Sequence, residues 1–319
     1  IKSLSLDACS LGDRGIQELC SDGVLSSLAS LVCLNLGGNG IQNAGAKTLA
    51  DSLHHLMALQ ELKLAWNYIG DAGGEAIVHA LPQTLRLLDL SGFIGRSQRN
   101  LPQRETEMDC HLGPKTCKAL AQILSRMCHL YRLNLDRQPL LPESVVTLAN
   151  ALPQCPSLRE LCLQNIPVDT QGATALAQVL GKCYLVFFHL NVNQIDATTA
   201  FELAYAITRC PSLRDVRLTQ NKMGVGGLIA FELAVAVHMG LERLHVYGHG
   251  GERQQGALIM RRIERWIQLN RRTKRFLEDD KNHHLLPELW SYIAHQGNMS
   301  RLFQTIQRLP VPQSCKGQE

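Results

Sequence analysis

The 319 residues carry 32 Lys and Arg against 28 Asp and Glu, and 45% of them are hydrophobic while 5% are aromatic. This is the composition of a folded protein, and a net charge of +4 is too small to indicate a nucleic-acid partner, which usually requires a dense basic stripe. The eleven cysteines follow neither a CxxC nor a Cys/His zinc spacing, so the sequence predicts no disulfide scaffold and no metal site.

A strand-like pair of apolar residues, separated by one position, recurs nine times along the chain. Successive pairs lie close to 28 residues apart, except in an enlarged fourth repeat. Such regularity predicts a solenoid of about nine repeats, in which each repeat packs against its neighbours. The pairs are Leu4/Leu6, Leu34/Leu36, Leu62/Leu64, Leu88/Leu90, Leu133/Leu135, Leu161/Leu163, Phe188/Leu190, Val216/Leu218 and Leu244/Val246.

Helical periodicity fills the segments between these strands. Asp71 and Asp196 are predicted to cap helices, and Pro114 and Pro142 fit first helical turns, where a missing N–H costs nothing. Alternating strand and helix predicts a parallel sheet on the concave face and helices on the convex face, because a strand is narrower than a helix. The predicted helices span 46–53, 74–81, 116–127, 144–152, 172–180, 199–208 and 228–237.

The position three residues beyond most strand pairs carries a side chain that can hydrogen-bond the bent backbone of neighbouring turns. The residues that fit are Cys9, Asn39, Asn67, Asn193 and Asn221. An amide both donates and accepts hydrogen bonds, so these residues predict a ladder along the solenoid. Looser loops are expected at the four residues that break the pattern, which are Phe93, Gln138, Ile166 and His249.

Four cysteines recur every 27 or 28 residues, just before the next strand: Cys128, Cys155, Cys183 and Cys210. This spacing predicts equivalent buried positions in successive repeats, where cysteine acts as a small apolar filler. A metal or redox role would require the thiols to converge, whereas neighbouring helices lie about 10 Å apart.

The most apolar segment of the chain spans residues 225–239 and is interrupted by Glu232. It is short for a bilayer and falls in register with the repeat helices. We therefore predict a buried helix at this position and no membrane span.

The segment IQNAGAKTLADSLHHLMALQELKLAWNYIGDAGGEAIVHAL, residues 41–81, resembles leucine-rich repeats of the ribonuclease-inhibitor type. Similar repeats occur in NOD-like receptors and in Ran-type GTPase-activating proteins, and the resemblance extends over residues 1–249. It implies an α/β leucine-rich-repeat horseshoe solenoid with a binding role, but it does not name the partner, because this fold binds unrelated proteins. The chain begins inside a predicted strand, so we expect the natural protein to continue upstream.

Residues that flank the buried strand positions point out of the concave face, because side chains alternate along a strand. The last three repeats combine arginine with aromatic residues, which are typical of binding hot spots. We predict a protein-binding patch for an acidic partner surface there, with a solvated sheet face as the alternative. The candidates are Phe187, His189, Arg217, Arg243, His245 and Tyr247, with Arg132 and Arg137 nearby and Trp66 as an isolated anchor or a residue leaning on its neighbour.

Two segments depart from the repeat pattern. The insertion at residues 91–113 is expected to project from the rim, either as a partner contact or as a neutral expansion. We predict that the solenoid with its cap, supplied by residues 255–269, ends at residue 269. A charged linker and two short amphipathic helices would then occupy residues 270–319. We expect these two helices to fold back on the last repeat as a cap. The apolar faces of those helices consist of Leu289, Trp290, Ile293, Leu302, Phe303 and Ile306.

The chain lacks the glycine-rich phosphate loop, the GxSxG elbow and the HExxH motif, so we expect a non-catalytic protein-binding scaffold without cofactors. Two alternatives stay open. Leu286, Pro287, Glu288, Leu289 and Ile293 resemble the start of an F-box helix, which implies a ubiquitin-ligase substrate adaptor, and similar repeats occur in regulators of small GTPases. The unpaired cysteine pattern favours the cytoplasm, with the nucleus as an alternative.

Overall fold

The computed structural model describes residues 1–92, 111–248 and 253–278. Over these ranges, nine three-residue strands form one parallel sheet whose strand order follows the chain order. Each strand leads into a helix, which confirms the predicted α/β solenoid with a parallel sheet. The strands are β1 (Ser3–Ser5), β2 (Cys33–Asn35), β3 (Glu61–Lys63), β4 (Leu87–Asp89), β5 (Arg132–Asn134), β6 (Glu160–Cys162), β7 (Phe187–His189), β8 (Asp215–Arg217) and β9 (Arg243–His245).

The helices begin two to four residues earlier than the apolar periodicity predicts, because a first turn need not bury apolar side chains. Helix α1 was missed altogether; among its side chains only Ile16 is fully buried. The helices are α1 (Gly12–Cys20), α2 (Asn43–Leu53), α3 (Asp71–His79), α4 (Pro114–Ile123), α5 (Pro142–Ala151), α6 (Thr170–Leu180), α7 (Ala197–Thr208), α8 (Gly224–Val237) and α9 (Arg253–Glu278).

The predicted first-turn prolines of α4 and α5 and the predicted cap of α7 are confirmed. Pro114 and Pro142 occupy the first turns of α4 and α5. Asp196 caps α7, and its carboxylate accepts a hydrogen bond from the backbone N–H of Thr199 at 2.8 Å. Both devices fix the point at which the chain leaves the loop and enters the helix.

The prediction that Asp71 caps the helix that follows it is wrong. Gly70 is the N-cap residue of α3, and Asp71 is the first residue of that helix. The Asp71 carboxylate instead accepts hydrogen bonds from the backbone N–H groups of Gly113, Lys115 and Thr116, at 2.8–3.0 Å. Asp71 therefore caps the neighbouring helix α4 and ties together the two repeats that flank the insertion.

The middle residue of each strand points towards the helices, and from β2 to β9 these residues form a continuous buried row. Register pairing places Leu62, Leu88, Leu133, Leu161 and Phe188 side by side in this row. All five side chains are at most 1% exposed, and the helices cover them from the other side. Because no repeat can bury its apolar face alone, this row makes the stability of each repeat depend on its neighbours.

The asparagine ladder is confirmed at four of its predicted positions. Each amide oxygen of Asn39, Asn67, Asn193 and Asn221 accepts a backbone N–H from the preceding repeat, and each amide nitrogen donates to a carbonyl of the preceding strand segment. Cys9 takes part through its backbone, because its N–H donates to Asn39 while its thiol is exposed.

Gln138 was expected to interrupt the ladder, and that expectation is wrong. Its side chain is buried, its amide oxygen accepts the Leu112 N–H at 3.1 Å, and its amide nitrogen donates to the Leu90 carbonyl at 2.7 Å. The longer glutamine thus replaces asparagine in the repeat that follows the insertion. At Ile166 the ladder lacks an amide side chain. The backbone N–H of Leu140 donates a hydrogen bond to the Gln138 carbonyl instead. Phe93 and His249 lie outside the described residues.

A second row of hydrogen bonds runs through the cysteine positions. The Cys155 thiol donates to the Met127 carbonyl, and the Cys210 thiol donates to the Cys183 carbonyl. One repeat later, His238 occupies the equivalent position, and its Nε2 lies 2.9 Å from the Cys210 carbonyl oxygen.

Three of the four recurrent cysteines, Cys155, Cys183 and Cys210, are buried as predicted. The prediction is wrong for Cys128, which is exposed. The row therefore begins after that residue, at the hydrogen bond between Cys155 and Met127.

Helix α9 closes the end of the described solenoid. Its Asn270 side chain donates to the carbonyls of His238 and Leu241, at 3.0 Å and 3.2 Å, and so continues the second row. The helix runs to Glu278, past the boundary expected at residue 269. The first nine residues assigned to the linker are therefore helical, while the rest of the tail and the F-box-like segment lie outside the described residues, as does most of the insertion.

The apolar segment 225–239 forms helix α8 and packs in register with the other repeats. The prediction that this helix is buried is only partly correct, because Ile229, Leu233 and Val237 are exposed along one side. Across the described ranges, no helix has both the length and the apolar character needed to cross a bilayer.

Candidate partner-binding site

Two rows of side chains on β7–β9 point away from the helices. Strand register places Phe187, Asp215 and Arg243 side by side in the first row, and His189, Arg217 and His245 in the second. Neighbouring strands lie about 4.8 Å apart, so the side chains of each row are close neighbours. Tyr247 follows two residues after His245. We call these seven residues the C-terminal patch.

Asp215 organises the arginines of the patch. Among the described residues, Asp215 is the one acidic side chain that is almost completely buried, with 1% exposure. Its carboxylate accepts hydrogen bonds from Arg217 Nε and Nη2, both at 3.2 Å, and from Arg243 Nη1 at 3.3 Å. The hydrogen bond to Asp215 also raises the pKa of Arg217. Two half-exposed guanidinium groups are thus held in place on one buried carboxylate.

His189 lies between Asp215 and Cys162. Its Nδ1 is 3.7 Å from Cys162 Sγ, and its Nε2 is 3.9 Å from Asp215 Oδ1, too far for a hydrogen bond. Burial and the nearby Arg217 lower the pKa of His189 to about 4, while burial raises the pKa of the Cys162 thiol to about 12.

The order Cys, His, Asp resembles a nucleophile with its base and orienting group. An activated thiol requires a lowered thiol pKa and an imidazole that can take its proton. Both pKa shifts run in the opposite direction. The arrangement therefore favours a neutral thiol beside a neutral imidazole, which suits packing and not nucleophilic catalysis.

Replacing His189 with glutamine is expected to reduce the pH dependence of stability. Below its ordinary pKa of 6.5 the histidine of the unfolded chain binds a proton, while the folded chain resists it down to about pH 4. Wild-type stability therefore falls as pH decreases through this window, by roughly 2 kcal/mol between pH 7.5 and pH 5. Urea unfolding at both pH values measures the difference.

The matched control is His54→Gln, because His54 is exposed. This variant should keep the full pH dependence of the wild type. An equal loss of stability in wild type and His189→Gln would contradict the assignment.

His245 and Tyr247 form the outer, aromatic part of the patch. Their rings meet edge to face with centroids 6.5 Å apart, a favourable arrangement for aromatic pairs. Tyr247 is largely exposed, and Phe187 is half-buried beside Asp215. A rigid, exposed tyrosine next to two arginines combines the residue types that dominate binding hot spots.

Arg132 and Arg137 lie outside the patch. Arg132 is on β5, two strands from β7, and forms an ion pair with Glu160 at 3.4 Å. Arg137 follows β5 in a left-handed turn with φ of 64°. The structure therefore leaves Arg132 partly neutralised and does not place either arginine among the C-terminal aromatics.

Trp66 is also remote from the patch. It was assigned to the concave strand face, but it occupies the left-handed turn after β3, with φ of 59°, and is 52% exposed. Three strands lie between β3 and β7, and the four strand spacings amount to about 19 Å. The same turn position has a positive φ in other repeats, and its members include Ala8, Gly38, Asn165, Val192 and Gln220. Trp66 thus follows a backbone rule of the repeat, which strand alternation could not reveal.

Across the described residues, no group of three or more His, Cys, Asp or Glu side chains is placed to hold a metal ion. Nine cysteines in this part of the chain are free thiols. The chemistry available at the C-terminal patch is therefore that of arginine, imidazole and aromatic groups.

The geometry of the repeats agrees with comparisons to known proteins. A family model described as "Leucine Rich repeat" matches residues 27–50 and 55–78. Ribonuclease inhibitor from Sus scrofa is 31% identical over 181 residues, which cover 56% of this chain and 36% of the relative. The Mus musculus protein of that name is 30% identical over 262 residues, covering 72% and 54%.

The chain is a leucine-rich-repeat protein of the ribonuclease-inhibitor type. Human "NACHT, LRR and PYD domains-containing protein 5" is 28% identical over 233 residues, covering 72% of this repeat chain and 18% of the relative. The chain thus spans about half or less of the length of these relatives.

Two solved structures are similar to parts of this chain. A tropomodulin C-terminal domain of Caenorhabditis elegans has a TM-score of 0.43 and 13% identity, and it covers 50% of this repeat chain and 95% of its own length. The ectodomain of the Arabidopsis receptor kinase HAESA has a TM-score of 0.42 and 16% identity, with 78% and 34% covered.

Sequence reasoning found six of the seven patch residues but gave no role to Asp215. The available signal was the spacing Asp215-x-Arg217, followed by an arginine one repeat later. Residues two apart on a strand share a face, and residues one repeat apart are neighbours in register. The pattern places one acid between two arginines.

Proposed function

We propose that this leucine-rich-repeat protein binds a partner protein through the C-terminal patch, and that the partner inserts an acidic group between Arg217 and Arg243. The observation that carries the proposal is the sharing of Asp215 by both arginines. One buried carboxylate cannot neutralise two guanidinium groups, so one positive charge stays in excess. Asp215 already holds both arginine side chains in place. Binding would therefore cost little side-chain conformational entropy.

The rest of the sheet face supports this location. Lys63 is paired with Glu61 at 2.9 Å, and Arg132 is paired with Glu160. Asp136, on the repeat of β5, adds a further acidic group. The basic excess is therefore confined to β8 and β9, next to the exposed ring of Tyr247. A partner with an acidic surface would be drawn to this end of the face.

The relatives support a recognition role in general terms. Two of them carry the name ribonuclease inhibitor, which describes proteins that act on another protein. We do not assign the partner of these relatives to this chain, because the chain spans only 36% and 54% of their lengths.

Changing Arg217, Arg243 and Tyr247 together to alanine is expected to weaken partner binding by roughly 100-fold, or about 3 kcal/mol. Quantitative mass spectrometry of proteins captured from cell extract identifies the partner, and titration of the purified pair gives Kd. The effect should be larger at low salt, because charge attraction is screened at high salt.

The matched control is Lys63→Ala. Lys63 occupies the same strand row as Arg217 and also pairs with a carboxylate two residues away. This variant should retain the partner. Binding that survives the triple substitution, or is lost equally with Lys63→Ala, would place recognition elsewhere. A shortened chain for the same assay should end after residue 278, because removal of Asn270 opens the cap.

We further propose that this binding takes place in the cytoplasm. Support comes from the nine free thiols of the described residues, since reducing compartments keep thiols unpaired. Fluorescence microscopy of the tagged full chain tests the proposal, and accumulation in the secretory pathway would refute it.

A further inference from the structure

The outward side of the helices changes character at α7. Over their described ranges, helices α1 to α6 expose no large apolar side chain. Their outward positions carry polar residues such as Lys47, Asp51, Gln122, Thr147 and Gln178. On α7 and α8 the equivalent positions carry Phe201, Tyr205, Ile229, Leu233 and Val237, which are 40–66% exposed. We call these five residues the convex apolar face.

The five side chains form one surface. Phe201 and Tyr205 are four residues apart on α7, and Ile229, Leu233 and Val237 follow the same spacing on α8, so each set lies in one stripe. The Phe201 ring reaches the start of α8, where a Cβ on Gly226 would lie 4.0 Å from its Cε2. Monomers rarely leave a continuous apolar patch of more than a few hundred Å² uncovered.

A cavity of about 410 Å³ borders this face, between α6 and α7. Tyr205 forms one wall, and Gly181 and Arg209 contribute to the lining. The face thus combines flat apolar side chains with a recess large enough for an aromatic side chain.

Helix α9 packs alongside α8, which carries three residues of this face. It runs alongside α8 in the same direction: Arg262 pairs with Glu232 at 2.7 Å, and Asn270 contacts His238 near the end of α8. The eight residues after Asn270 extend about 12 Å further. Residues 279–284 can span about 20 Å, so the chain from residue 285 onwards can turn back to α8.

We propose that residues 285–309 of the same chain cover the convex apolar face. The sequence of this segment predicts two amphipathic helices. The apolar side of the first carries Leu289, Trp290 and Ile293, and that of the second carries Leu302, Phe303 and Ile306. The face is apolar in the two repeat helices nearest to the point where this segment departs, and polar in the six preceding helices. This contact is separate from the C-terminal patch, which lies on the opposite, sheet side.

A photo-crosslinking amino acid in place of Leu233 tests the proposal in the full chain. Irradiation should link position 233 to residues 285–309 of the same molecule, and the product should migrate as a monomer. The same substitution at Tyr205 should give the same product. The matched control is the equivalent position on α4, Gln122→p-benzoylphenylalanine, which is exposed two repeats before this face and its cavity and should give no such link. All three side chains lie on helix surfaces, so the substitutions leave the core unchanged.

A tail variant completes the experiment. Trp290→Ala combined with Phe303→Ala should reduce the intramolecular link by about tenfold, because both large apolar contacts are removed. A dimeric product would mean that a second copy covers the face, and a link to another protein would mean that a partner does. Either product, or no link to 285–309 from both positions 205 and 233, would overturn the proposal.

Discussion

Replacing Asn67 with alanine is expected to lower the free energy of unfolding by about 3 to 5 kcal/mol, because four backbone groups lose their partner together. The amide oxygen accepts hydrogen bonds from the N–H groups of Asn39 and Ile41, both at 3.0 Å. The amide nitrogen donates to the carbonyls of Leu36 and Leu64, at 2.9 Å and 3.0 Å. The side chain is buried, so water cannot replace these bonds without opening the turn.

Urea unfolding followed by circular dichroism measures this loss. The matched control is Asn35→Ala on β2, because Asn35 accepts the Gly37 N–H at 3.1 Å but lies partly in solvent. That variant should lose about 1 kcal/mol or less. Comparable losses for the two variants would show that the ladder contributes no more than an ordinary surface hydrogen bond.

Replacing Phe188 with alanine is expected to destabilise the protein by about 3 to 5 kcal/mol. Its ring is 1% exposed and lies between Leu161 and Val216 in the central row of the sheet. Truncation would leave a cavity that the short, hydrogen-bonded strands on either side cannot close. The residues on both sides along the strand, Phe187 and His189, belong to the C-terminal patch, so the same cavity should also weaken partner binding.

Phe188→Leu is the control that the repeat itself suggests. Five other strands carry leucine in this row between β2 and β6, so a leucine fits the local backbone and should cost less than about 1.5 kcal/mol. Partner binding should then be retained. A loss from Phe188→Leu as large as that from Phe188→Ala would mean that the patch requires the aromatic ring beneath it.

The central residue of each strand could be predicted, because two constraints coincide there. A three-residue strand with one buried central side chain must alternate, and the 28-residue period repeats that alternation nine times. Helix starts were less accurate, since first turns are held by hydrogen bonds that cross between repeats. Asp71 illustrates this: its sequence position suggests a local cap, whereas its carboxylate reaches a helix more than 40 residues later.

The candidate site was predicted in part for a similar reason. Residue type and alternation identify Arg217, Arg243 and Tyr247 as outward-facing. They do not show that one carboxylate holds both arginines, because that depends on side-chain direction across neighbouring strands. The placement of Trp66 on the strand face was wrong for a backbone reason. The turn after β3 is left-handed at Trp66, and strand alternation does not continue through it.

In both rows of side-chain hydrogen bonds, a side chain bonds to the backbone of the repeat before it, on its N-terminal side. Asn67 closes the turn amides of the repeat before it, and Asn270 closes the last carbonyls of the repeat that ends before α9. A repeat therefore keeps unpaired turn amides until the next one is in place. Because a ribosome makes the chain in that same direction, each newly made repeat completes the one already synthesised, and the array can mature in the order of its translation.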